Sequence, residues 1–359
     1  MLSSTIDTQG GTMIKTINSW RGLLALTVVL FHANWIWIWD VACSGVTFFF
    51  IASSFLLSMR HRFDRLTLSG YTHFAASHAM RLYPLQWLGL VMLIALSLAF
   101  NIFDVNGKLL LLNVLLLQAW SPVHEIHYSF NSVTWYLSAL LFCYLCYPLM
   151  SRVLRGCRLR YKVLLIVLMV LLLGSILVPL DIPGREAVFV NPLSHVVDFT
   201  VGIALYHVFV ILKPRFQQVS ATAATWLEVG AVGLLVLAVA VNKCTTWVKP
   251  WEDNILWMFP HAVIILICAL LNGHEGLLGR LLLCRPLQWL GGISFEIFVL
   301  QNVGFLMSNY MLAPVLWHWG VDVYGIAVWL SLPLLIVLSW VVNRCFSRPV
   351  RRWLKRVGL

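Results

Sequence analysis

Charge is what this sequence has least of: Asp, Glu, Lys and Arg make up 11% of its 359 residues, and Asp and Glu together number only 14. Soluble domains carry about a quarter charged residues, so a hydrophobic share of 60% and a mean hydropathy of +0.86 place the chain among polytopic membrane proteins. Also missing are a G-x-S-x-G elbow, a P-loop and a glycine-rich nucleotide fingerprint, which argues against hydrolase, ATPase and dehydrogenase chemistry. No internal repeat or low-complexity tract is visible. No small-residue cleavage site follows the polar residues 1–18, so the first apolar helix reads as an uncleaved signal anchor. The eight Cys are scattered through apolar segments; Cys143 and Cys146 are spaced as CxxC, but inside FCYLCYPL they read as small hydrophobes, and no metal site is expected.

What is present is a series of apolar runs. Spans are expected at Ile17–Asp40, Val41–Ser58, Leu82–Phe100, Val133–Met150, Val163–Leu180, His195–Leu212, Trp226–Val241, Ile255–Leu271, Trp289–Tyr310 and Val323–Val342. The fold class is therefore an all-α membrane protein of about ten transmembrane helices in a single bundle. A cytoplasmic N-terminal tail (residues 1–18), a transmembrane domain (19–343) and a basic cytoplasmic C-terminal tail (344–359) complete it. Leu109–Trp120 is too short to cross and is read as re-entrant or interfacial. With that parity only Lys108, Arg185, Lys243 and Lys249 of the 25 Lys and Arg fall outside, and both termini are cytoplasmic. The formal net charge of +11 thus reports topology in a lipid bilayer rather than a nucleic-acid partner.

Ionisable residues inside spans are costly and count as functional candidates. Arg21 stands at the entrance of the first span and His32 near its middle; eleven residues bring them to within ~20° of one helix face, ~16 Å apart along the axis. Glu296 is an acid inside the penultimate span and a candidate partner for His32, with Asp198 and Glu228 as rivals.

The Arg21-x10-His32 spacing in RGLLALTVVLFHA resembles the first-helix pattern of the acyltransferase-3 family of integral-membrane O-acyltransferases. SGVTFFFIASSFLLS looks like that family's second-helix pattern, with Ser53-Ser54 in place of Ser-Gly. HAMRLYPLQW is similar to the third-helix entrance: Arg81, Tyr83 and Pro84 match, and His78 stands where another Arg is expected. NSVTWYLSALLFCYLCYPL, beginning at Asn131, and LGGISFEIFVLQ, with Ser294, Phe295, Glu296 and Phe298, extend the likeness, Gln301 standing where a His is common. It runs from Arg21 to SRPVRRW, which ends at Trp353.

The resemblance implies transfer of an acyl group, most often acetyl from acetyl-CoA, to a hydroxyl of a carbohydrate destined for the cell surface. It implies a multi-pass protein of the cell membrane, with acyl-CoA as co-substrate and no tightly bound cofactor. A hydroxyl needs a base near neutral pH, and His32 is the candidate general base, or else carries the acyl group itself, with Glu296 orienting it. Arg21, Arg81 and His78 are the candidate donor-binding residues, and Trp135 and Tyr136 the candidate acceptor-binding ones. The alternative is a transporter or flippase for lipid-linked sugars, whose polar residues line a path without chemistry.

Overall fold

The computed structural model describes residues 14–33, 39–61, 63, 65–318 and 323–358, and among them every regular element is helical. α1 (Lys15–His32) and α2 (Trp39–Arg60) precede α3 (Leu68–Phe100). Two short helices, α4 (Gly107–Val114) and α5 (His124–His127), lead to α6 (Trp135–Gly156), α7 (Leu159–Leu177), α8 (Ile182–Val190) and α9 (Val196–Leu212). Then come α10 (Ala221–Cys244), α11 (Ile255–Leu270), α12 (Leu277–Leu282), α13 (Arg285–Gly292) and α14 (Ser294–Met307). α15 (Ala313–His318), α16 (Val323–Val342) and α17 (Arg348–Arg356) close the order, α17 being joined to α16 by a π turn at Asn343–Ser347.

Among the described residues 7 helical segments are long and apolar enough to cross a membrane, and α2 and α11 supply shorter apolar helices. The expected count of about ten is not confirmed. The first expected span is corrected: it does not run to Asp40, because α1 ends at His32. There the imidazole Nδ1 donates to the carbonyl of Val28, one turn back, at 2.8 Å. His32 therefore terminates a helix instead of sitting in its middle. α1 also begins at Lys15, inside the stretch expected as tail, and the basic stretch after Arg344 is helical.

α4 has 8 residues, about 12 Å of rise, and cannot cross a ~30 Å core. The chain beyond it turns into the bundle. Leu116, Gln118 and Ala119 are buried, Ser138 Oγ donates to the Leu116 carbonyl at 2.6 Å, and Asn131 Nδ2 donates to the Val299 carbonyl at 2.9 Å. Leu116 and Phe130, which bracket this segment, both have φ of 55°, a left-handed conformation costing a side-chain-bearing residue ~1–2 kcal/mol. In a background without native Cys, Lys108→Cys and Pro122→Cys are expected to react with an impermeant maleimide from the same side of the membrane. Labelling from opposite sides would make α4 a span.

α2 is the central helix, with Phe48, Phe50, Ile51 and Phe55 fully buried, whereas α7 turns Leu164, Leu168, Leu171 and Leu172 outward. Lipid is as apolar as Leu, so helices associate there through close packing at small residues. α2 meets α9 where Ser54 lies against Gly202, and α1 meets α13 where a Cβ at Gly22 would stand 2.7 Å from the Gly291 nitrogen. Gly202→Ala would drive its methyl into Ser54 Oγ and the Ile51 carbonyl, a steric cost of about 1–3 kcal/mol. Thermal unfolding in detergent is expected to fall for Gly202→Ala and not for Gly233→Ala, whose methyl meets nothing within 4 Å. Equal melting of the two variants would show that the crossing tolerates separation.

Candidate functional site

Helical periodicity brings the polar residues together. On α2, Phe49, Ser53, Leu56 and Arg60 recur every three or four residues and so share a face; on α6, Tyr136, Leu140 and Tyr144 do the same. His78 and Arg81 of α3, three apart, form a third wall, with Arg21 of α1, Ser294 and Phe298 of α14 and Arg351 of α17. These faces enclose one cavity of ≈ 310 Å³, at the lower end of the roughly 300–1,000 Å³ usual for small-molecule sites.

The cavity is strongly cationic. Arg21, Arg60, Arg81 and Arg351 all line it. Among the described residues no carboxylate lies within ion-pair reach of the first three, and Arg351 is 3.9 Å from Glu296. Guanidinium groups facing one void in a low-dielectric slab repel one another, and an anion bound between them relieves that repulsion while accepting charge-assisted hydrogen bonds. His61, just past α2, is pushed below its ordinary value by burial and by the charges of Arg81 and Arg60, and it lines the same cavity as a neutral ring. His78 donates from Nδ1 to the Phe74 carbonyl at 2.9 Å, which leaves its buried Nε2 without a protein partner. It offers a ligand a hydrogen-bond acceptor, a different service from that of the missing arginine.

The structure thus brings Arg21, Arg81, His78 and Tyr136 to one cavity, and it does not bring His32, Glu296 or Trp135 to its lining. Glu296 does not partner His32: in the first turn of α14 it is fully buried, and Oε1 accepts from Asn343 Nδ2 at 2.8 Å. The π turn supplies that Asn343, whose Oδ1 in turn accepts from Arg348 Nε at 2.8 Å. The rival acids are committed elsewhere as well, Asp198 to His195 Nδ1 at 2.9 Å and Glu228 to the Gly276 amide at 2.9 Å.

Trp135 is 6% exposed and packs on Phe189 and His195, so neither ring face is open to a sugar. The turn before α6 starts that helix beside Val299 and Asn302, partway along α14. Tyr136 consequently reaches Phe298, with ring centroids 5.2 Å apart.

Arg60, His61 and Arg351 are the site residues that the motifs missed. Arg60 was legible in the four-three-four spacing from Phe49; Arg351 carried no local signal distinguishing it from its basic neighbours.

His32, at the far end of α1 from Arg21, keeps Nε2 as its unprotonated nitrogen, since Nδ1 carries the proton given to Val28. The cavity's Arg21 and the His32 imidazole therefore lie on one helix, eleven residues apart.

A family model described as an acyltransferase domain matches residues 14–344. No curated protein and no solved structure matches the chain.

Proposed function

The chain belongs to the acyltransferase-3 family and is a membrane acyltransferase, and from that premise we propose that it moves an acetyl group from acetyl-CoA to a hydroxyl of a cell-surface carbohydrate or its lipid-linked precursor. The observation that carries this reading is the convergence of Arg21, Arg60 and Arg81, unpaired with any described carboxylate, on one cavity. Coenzyme A is a polyanion, and guanidinium forks match phosphate oxygens two hydrogen bonds at a time. His78 Nε2 accepts from an N–H of the donor, and Tyr136 contacts the acceptor. The arginine-rich end of the bundle faces the cytoplasm, where the donor is made, and both termini lie on that side of the cell membrane.

For transfer at His32 the thioester end of the donor has to extend ~16 Å along α1 from Arg21. His32 Nε2 takes the proton of the acceptor hydroxyl as its oxygen attacks the thioester carbonyl carbon. The C–O bond forms and the C–S bond breaks; the departing thiolate takes the proton from His32, which returns to its starting state. No tightly bound cofactor takes part.

The test is mass spectrometry of surface glycans from cells with and without this chain, followed by transfer from labelled acetyl-CoA by the purified protein. An acetylated glycan confined to cells that carry the chain is the expected result. Unchanged glycans together with transfer of an intact lipid-linked sugar across proteoliposomes would replace this reading with the transporter.

A further inference from the structure

At the end of α7 remote from the arginine cavity, two loops that the transfer reaction does not use come together. α5 is a single turn, His124-Glu125-Ile126-His127, whose two histidines are three residues apart and so share a side. It lies beside α8, whose start is fixed by the Asp181 carboxylate accepting the Gly184 amide at 2.9 Å, with Pro183 in the first turn. Glu186 follows on the first exposed turn, and its Oε2 is 3.1 Å from His124 Nδ1. His124, His127 and Glu186 each offer one ligand atom within 4.8 Å of the others.

A surface ion pair accounts for His124 and Glu186 but not for His127. That ring is 1% exposed; its Nδ1 donates to the Ser121 carbonyl at 3.1 Å, and its Nε2 is buried with no hydrogen-bond partner. A backbone carbonyl on one ring nitrogen, fixing the tautomer that bares the other, is the arrangement that orients metal-bound histidines. We propose that His124, His127 and Glu186 bind a divalent transition-metal ion, zinc foremost, which clamps the re-entrant segment to α8. Two imidazoles and a carboxylate suit zinc, leaving a fourth tetrahedral position for water. Ligands ~2.0–2.2 Å from such an ion stand ~3.3–3.5 Å apart, so the loops close on it by about 1 Å. His124 and Glu186 are 62% and 32% exposed at their side chains, which lets the ion in from solvent. By pinning α5, the ion would hold the turn that starts α6 and with it Tyr136.

The experiment uses tag-free, chelator-stripped full-length protein titrated with zinc chloride, read by calorimetry and by thermal unfolding. Wild type is expected to bind about one ion per chain and to melt at a higher temperature with it, while magnesium, which prefers oxygen ligands, has no effect. Glu186→Gln alters a half-exposed residue and leaves the fold intact; His127→Asn removes the buried ligand. Each is expected to lose at least the ~10- to 100-fold in affinity that even an outer partner of a ligand commands. Absence of saturable zinc binding by wild type, or wild-type binding by the folded Glu186→Gln protein, would overturn the proposal.

Discussion

His32→Gln protein, purified and monodisperse, is expected to transfer acyl groups ~100- to 10,000-fold more slowly than wild type while binding the donor as before. The expectation follows from the tautomer. Nδ1–H is engaged by Val28, so Nε2 is the one basic atom His32 can offer an acceptor hydroxyl. Gln can keep a hydrogen bond to the Val28 carbonyl through its amide, which preserves the end of α1, but it has no atom that takes a proton near neutral pH. A purely structural helix-ending His would behave differently: its loss would lower abundance or melting temperature first and leave the rate per folded molecule unchanged. Transfer by His32→Gln at near wild-type rate would remove His32 as the base and leave the acceptor proton to another group.

Replacing Arg21 or Arg81 by Lys is expected to weaken donor binding by about 10- to 150-fold, the worth of a hydrogen bond to a charged group, because an ammonium cannot reproduce a two-pronged guanidinium contact. The effect should fall on KM for acyl-CoA more than on kcat, and the affinity of both wild type and variants should decline with added salt. Arg351→Ala is expected to act less simply, since it also releases Glu296 from its nearest cation. Wild-type donor affinity in both Lys variants would return Arg21 and Arg81 to the role of topology signals.

The helices were legible because an apolar run of span length is hard to accommodate anywhere but in a bilayer. Arg21, Arg81, His78 and Tyr136 could be picked out through the resemblance to the acyltransferase-3 motifs, and spacing within one helix gave Arg81 and His78 a common face. Arg60 shares the helical spacing of Phe49, Ser53 and Leu56 but was passed over, and Arg351 was hidden, because a cation at the end of a span reads as positive-inside whether or not it also lines a cavity. The end of α1 was misread because the apolar pattern runs on through Ile36 and Ile38, and no proline or glycine closely follows His32 to mark a stop. The partners of Glu296 and the meeting of α5 with α8 depend on packing between distant segments, and no pattern within either segment encodes them.

Arg21 lies on the first described helix and Arg351 on the last, and both belong to one cavity wall. The wall therefore draws on both ends of the described chain and is complete only once α17 is in place. A chain halted between α14 and the π turn has the His32 imidazole and most of the arginines, yet it holds Glu296 without Asn343 or Arg351. Such an unfinished product carries a buried acid without its hydrogen-bond donor and its nearest cation. Loss of the segment after Val342 is thus expected to cost the buried end of α14 its polar partners, whatever becomes of the rest of the cavity.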